Sequence, residues 1–184
     1  MKVFGLVFDH QRYQMVGEMR GFLEKYQPTH AGSRLLEDWE PMTGVLDNPT
    51  KRRGDFLLYG LEYFVCKHEL TERLAKCVRG DVQVLPVQLQ GEAVPYDLWN
   101  ITTYIDALDT QKTQYKPPPF RSIPQQWVFK SHCFDRATLF RTPQLPTRPL
   151  AVTGMSGSSD KDFYLRYQEL KLKGIKFELL WEAV

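Results

Sequence analysis

A chain of 184 residues with 42% hydrophobic and 25% charged residues can bury a substantial core and is too apolar to be disordered. No run approaches the roughly 18 apolar residues of a membrane-spanning helix. The net charge is +2, with residues 1–60 balanced, 61–110 carrying −4 and 111–184 carrying +6. The basic residues are dispersed, the one cluster being Lys51-Arg52-Arg53; solvated faces account for the pattern, the sharper reading is a bipolar surface meeting a partner of complementary charge, and nucleic-acid binding is weakly supported. The three cysteines, Cys66, Cys77 and Cys133, are odd in number and form no CxxC pair. They argue against a disulfide framework or a zinc cluster and fit reduced thiols in a cytoplasm.

In chain order, "KVFGLVF" at 2–8 predicts a strand. The opening residues lack the long apolar region and cleavage site of a signal peptide. "YQMVGEM" is expected as its hairpin partner. Residues 24–55 are loop-rich, broken by Pro28, Gly32, Pro41, Gly44, Pro49 and Gly54, with Leu35, Leu36, Trp39, Met42 and Val45 as anchors. "DFLLYG" and "YFVC" predict two short strands. In "KHELTERLAKCVRG", Leu70, Leu74, Cys77 and Val78 share one helical face, and Gly80 is placed to end the helix. "DVQVLPVQLQG" predicts a strand in which Val82 and Val84 alternate with Gln83. Its Pro86 argues for an edge or a bulge.

"YDLWNITTYIDALD" (96–109) follows as the paired strand and its exit turn. The match of Asn100-Ile101-Thr102 to a glycosylation sequon carries no meaning without secretion. "QKTQYKPPPFRSIPQQ" is a rigid extended connector. "WVFKSHCF", "TLFRT" and "LAVTG" are short strand candidates. "SGSSDKDFYLRYQELKLKG" predicts a helix capped by Ser159, with Asp160 and Asp162 in its first turn and Phe163, Tyr167 and Leu170 on one face; Gly174 stops it. "IKFELLW" alternates Ile175, Phe177, Leu179 and Trp181 against polar residues, as a half-buried strand does.

Short strands with two or three helices in no βαβ order predict an α+β fold with a mainly antiparallel sheet. The expected organisation is a single domain over 1–184, with a loop-rich N-terminal segment (about 1–54) packed on the main part (about 55–184).

Each candidate for chemistry has a simpler structural explanation. "GMSGSSD" approaches the G-x-S-x-G nucleophile elbow at Ser156 but has Ser158 where the second glycine belongs, and a small-residue turn before a helix accounts for it. His132 and Cys133 are adjacent, so in a strand they point to opposite faces and do not form a dyad. The four histidines have no metal-ligand spacing. Asp97, Asp106 and Asp109 could pair for acid–base work, yet aspartates at turn spacing more often cap backbone amides. The residues therefore point away from an enzyme.

The order of segments carries more information. "DWEPMTGVLDN", "GDFLLYG", "FVCKHELTERLAKCV", "VQVLPVQLQG", "YDLWNITTYIDALD", "LFRTP" and "GIKFELLWE" succeed one another as in the immunity-eleven family of bacterial polymorphic-toxin immunity proteins, which this chain resembles over about residues 37–182. The matching positions are Trp39, Asp55-Phe56-Leu57, Leu85-Pro86-Val87, Asn100, Asp106-Ala107-Leu108-Asp109, Phe140-Arg141, Gly174-Ile175-Lys176-Phe177 and Leu180-Trp181. Cys66-Lys67 departs from the family's Val-Ser helix start. The resemblance implies a non-catalytic cytoplasmic protein, monomer or homodimer, that binds and neutralises a cognate toxin. It implies no cofactor, metal, nucleic acid or membrane.

The motif residues are expected to build the fold, and partner contacts are expected off the motif. The candidates are Glu37, Asp38, Glu40, Lys51, Arg52, Arg53, Tyr115, Arg121 and Arg148. A pI near 8.4 gives no support to mimicry of nucleic acid. The alternatives are a binding or scaffold domain of a secretion system, and a small hydrolase-like enzyme centred on Ser156 or Cys133.

Overall fold

The computed structural model describes residues 1–20, 22, 39–60, 62–78, 80–119, 124–134, 138–155 and 157–183. Its strands are β1 (Lys2–Phe8), β2 (Val16–Met19), β3 (Met42–Leu46), β4 (Phe56–Tyr59), β5 (Tyr63–Lys67), β6 (Val82–Leu89), β7 (Tyr96–Ile101), β8 (Gln114–Tyr115), β9 (Pro124–Gln126), β10 (Leu139–Thr142), β11 (Leu145–Thr153) and β12 (Ile175–Glu182). The helices are α1 (His68–Val78) and α2 (Phe163–Glu169). The fold is α+β and mainly sheet.

Six strands close a small barrel in the order β2-β3-β6-β7-β5-β4, four form the sheet β10-β11-β1-β12, and β8-β9 make a separate pair. Antiparallel pairing dominates. The exceptions inside the barrel are β3 with β6 and the single bridge Val16↔Tyr59 that joins β2 to β4.

Alternation along the barrel strands divides two cores. Leu57, Val65, Leu85, Val87, Leu89 and Leu98 fill the barrel interior with Val16, Met19 and Phe22. Their neighbours Phe56, Phe64, Cys66 and Trp99 point outward and meet Leu70, Leu74, Cys77 and Val78 of α1 and Phe163 and Tyr167 of α2. Successive strand residues face opposite sides, so one strand can serve both layers. A third cluster covers the other face of the four-stranded sheet, where Val3, Phe140, Leu150 and Val152 pack under Ala107, Leu108, Phe129 and Phe134. No helix among the described residues is long and apolar enough to cross a membrane.

Several local expectations change. "YQMVGEM" is not the hairpin partner of β1. The amides of Arg12 and Tyr13 both donate to the Asp9 carbonyl, a turn that redirects the chain. β2 then joins β3 and β4, while β1 lies between β11 and β12. "WVFKSHCF" is not a strand: Phe129 makes one bridge to Leu108, and residues Ser131–Cys133 form a 3-10 turn. Ser159 does not cap α2. It begins a 3-10 turn, and Asp162 is the cap, accepting from the Leu165 amide at 3.0 Å. The alternation of β12 breaks at a bulge opposite Val3 and Phe4, which leaves Leu179 51% exposed.

The stretch 96–109 is framework. Tyr96 through Ile101 are all buried. Trp99 Nε1 donates to Thr71 Oγ1 at 3.0 Å, tying α1 to the barrel wall. Asp109 Oδ1 accepts from the amides of Gln111 and Lys112 at 3.2 Å each, as a turn cap.

Arg141 is a buried polar tie between distant parts of the chain. It is 0% exposed, yet its guanidinium reaches the Ile101 carbonyl at 3.0 Å, the Pro146 carbonyl at 2.7 Å, and the Glu62 carbonyl and carboxylate at 2.9 and 3.1 Å. It thus joins β10 of the sheet to the β4–β5 turn and the end of β7 in the barrel. Burial raises Glu62 and lowers Arg141 from their ordinary values, and each charge pulls the other back toward ionisation.

Candidate binding surface

β6 pairs with β7 along Val82–Val87 on one side, but on the other side β3 reaches only Val87–Leu89. Pro86 is tolerated for that reason. It has no N–H to donate, and its carbonyl accepts from Trp39 Nε1 at 2.8 Å, just before β3 begins opposite Val87. The sequence reading of an edge at Pro86 therefore holds for half of the strand. The phase of the alternation differs from the one expected: Leu85, Val87 and Leu89 face the barrel interior, so Val84 faces out.

A groove of about 700 Å³ runs along this outward face, lined by Val84, Pro86, Val94 and Pro95 among others, with His68 and Asp97 at its side. Val84 is 40% and Val94 41% exposed. His68 opens α1, and its amide donates to the Pro95 carbonyl at 3.0 Å. Its Nδ1 lies 2.9 Å from the buried Asp97 carboxylate and its Nε2 3.8 Å from Glu72. The bond to Asp97 holds the imidazole proton and raises His68 above its ordinary value. At the other rim Glu92 is joined to Arg53 at 2.5 Å, and the Tyr96 hydroxyl donates to Glu92 at 3.4 Å.

The residues expected to meet a partner do not form one patch. Glu37, Asp38 and Arg121 lie outside the described residues. Glu40 is exposed beside Pro41, which borders both the groove and a second concavity lined by Arg20, Met42 and Val45. Lys51 and Arg52 share a basic concavity with Arg12 and Tyr13. There the Lys51 ammonium donates to the His10 carbonyl at 2.7 Å. Arg53 turns instead to the groove's Glu92. Tyr115 is exposed on β8. Arg148 lies across the four-stranded sheet, 2.5 Å from Glu178 and over the Trp127 ring.

The other candidates for chemistry separate. Asp97 holds His68, Asp106 accepts from Gln144 Nε2 at 3.0 Å, and Asp109 caps its own turn. The three do not form a carboxylate pair. Ser156 lies outside the described residues. Cys133 Sγ is 4.0 Å from the Asp106 carbonyl. Cys66 and Cys77 are buried, and burial raises both thiols, Cys77 to about 12.

The groove residues Val84, Val94 and His68 were not among the sequence candidates. A signal for Val84 existed in Leu85-Val87-Leu89, which fixes the inner face and leaves an apolar residue on the outer one. Comparison of the chain with protein-family models and with curated proteins finds no match to either.

Proposed function

We propose that this chain is an immunity protein: it binds a cognate bacterial toxin one-to-one in the cytoplasm and neutralises it without turnover. The observation that carries the reading is the ordered succession of segments from Trp39 to Trp181, which resembles the immunity-eleven family. The placement of those residues is compatible with it. Phe56, Leu57, Leu85, Val87, Asn100, Ala107, Leu108, Phe140 and Arg141 are all buried, as framework residues are. The exposed concavities offer contact positions that can vary without disturbing that framework.

The test is rescue by co-expression. The toxin domain encoded by the adjoining gene is induced with and without this chain, and the mixture is resolved by size exclusion. Restored growth with a one-to-one complex supports the reading. Restored growth without a complex points to enzymatic repair or modification, and no rescue sets the immunity reading aside.

A further inference from the structure

Resting on the immunity reading, we propose that the basic concavity between residues 11–13 and 50–52 is where the toxin docks, through an acidic segment whose aspartate or glutamate carboxylates enter it. The concavity holds about 480 Å³ and is lined by Gln11, Arg12, Tyr13, Thr50, Lys51 and Arg52. Half of these are cations and none is a carboxylate. Backbone bonds fix the frame. The Arg52 amide donates to the Arg12 carbonyl at 3.1 Å and the Gln14 amide to the Arg52 carbonyl at 2.9 Å, so Tyr13 and Arg52 are partners in a parallel bridge. The Lys51 amide donates to the Asn48 carbonyl at 3.0 Å and closes the turn. The cations are thus presented by two segments tied to each other.

Their charge is left unanswered within the chain. Arg53, Arg141, Arg148 and Arg166 each have a carboxylate within 3.1 Å. Arg52 is exposed, and neither it nor Lys51 has a carboxylate within ion-pair distance among the described residues. The Lys51 ammonium gives one of its three hydrogens to the neutral His10 carbonyl. Arg12, 74% exposed, lies 3.7 Å from the buried Asp9, which Lys176 holds more closely at 3.0 Å. Asp47, on the same turn as Lys51, is directed to the Met15 amide, from which it accepts at 2.7 Å. Asp9 and Asp47 are the carboxylates of segments 9–14 and 47–52, and neither lines the concavity.

Cations gathered without a counter-charge repel one another, and a partner that brings carboxylates relieves that repulsion on binding. The guanidinium forks of Arg12 and Arg52 suit carboxylates, which they can hold by paired hydrogen bonds. Gln11, Tyr13 and Thr50 add neutral polar groups beside them. A single concavity admits a short acidic segment. Nucleic acid is held instead by cations that follow a backbone over many phosphates.

The experiment uses the full chain and the toxin domain encoded by the adjoining gene. Affinity is measured for the unaltered chain, for Arg12→Glu/Arg52→Glu, and for Arg73→Glu/Lys116→Glu. The last pair changes the net charge equally at exposed positions outside the concavity. Thermal melting checks that each variant folds. The expected result is a complex weaker by about tenfold or more for the first pair and by less than about twofold for the second. Undiminished binding by the first pair overturns the site. Equal weakening by both pairs does so too, since it means long-range attraction alone.

Cross-linking of the unaltered complex needs no variant. A carbodiimide condenses a carboxylate with an amine, so Lys51 should be found joined to an aspartate or glutamate of the toxin. A complex whose cross-links all spare Lys51 overturns the site. Two other occupants would also overturn it. One is a nucleic-acid duplex that binds the unaltered chain and not the first pair; the other is a second copy, shown by a free dimer that the first pair dissociates. If the unaltered chain does not bind the toxin at all, the immunity reading itself fails and takes this site with it.

Discussion

Two residues show how single side chains divide the work. Arg141 is fully buried and gives hydrogen bonds to three carbonyls and one carboxylate. Replacing it by alanine strands Glu62 and those carbonyls out of water, and breaking a buried pair from one side costs about 3–5 kcal/mol. Arg141→Ala should lower the urea midpoint accordingly, and Glu62→Gln, which leaves the buried guanidinium without its counter-charge, should lower it as well.

His68 is half-exposed, so its contribution is smaller and depends on pH. Its folded-state value is raised by the bond to Asp97. The stabilisation is therefore full below about 6.5, the ordinary value of an unfolded histidine, and is lost as pH rises through the raised value. Urea titrations of the wild type and His68→Gln should differ most at acid pH and converge above neutrality. A gap that widened with pH would mean that Asp97 prefers a neutral partner.

Thiol chemistry at this scale is equally direct. Cys66 and Cys77 are buried and Cys133 is partly exposed. A thiol reagent should label Cys133 alone in the native chain and all three after denaturation.

At the scale of elements, α2 depends on its cap. Asp162 is buried and accepts from the Thr153 hydroxyl at 2.6 Å, the Gly154 amide at 3.1 Å and the Leu165 amide at 3.0 Å. One carboxylate thus starts the helix and ties it to the end of β11. Asp162→Ala should destabilise by about 2 kcal/mol, at the upper end for an N-cap, and chemical denaturation would measure it. Ser159→Ala should change little.

The sequence pattern did not separate these two cap candidates, since Ser159 is a good cap by type. What decides is Thr153, nine residues back, and that contact has no local signature. The same holds more widely. β1, β4, β5, β6 and α1 are legible because local composition or helical spacing marks each within its own span, although the phase of β6 is not. Barrel closure is not, because Val16 meeting Tyr59 depends on how separate elements are brought together. The groove was missed for a related reason. Charge nominated Lys51, Arg53 and Arg148, but a sequence does not show that each already has an acceptor within the chain: the His10 carbonyl, Glu92 and Glu178. Val84 becomes visible as a surface residue only once the inner face of β6 is fixed.

On the scale of the whole molecule, the barrel and the four-stranded sheet are separate hydrogen-bonded systems joined through a shared apolar layer and through Arg141. The first strand belongs to the sheet and the second to the barrel, so the earliest residues are committed to both. β1 is also an inner strand: one edge pairs with β11 and the other with β12, where Lys2 lies opposite Glu182. A ribosome releases residues 2–8 long before 145–153 and 175–182, so an apolar strand waits with neither neighbour until β11 emerges and with only one until β12 does. Such a chain completes its sheet only once residues 175–182 have been made. On the proposed immunity reading, β12 would have to be made before a toxin became active, which favours making such a protector first or in excess.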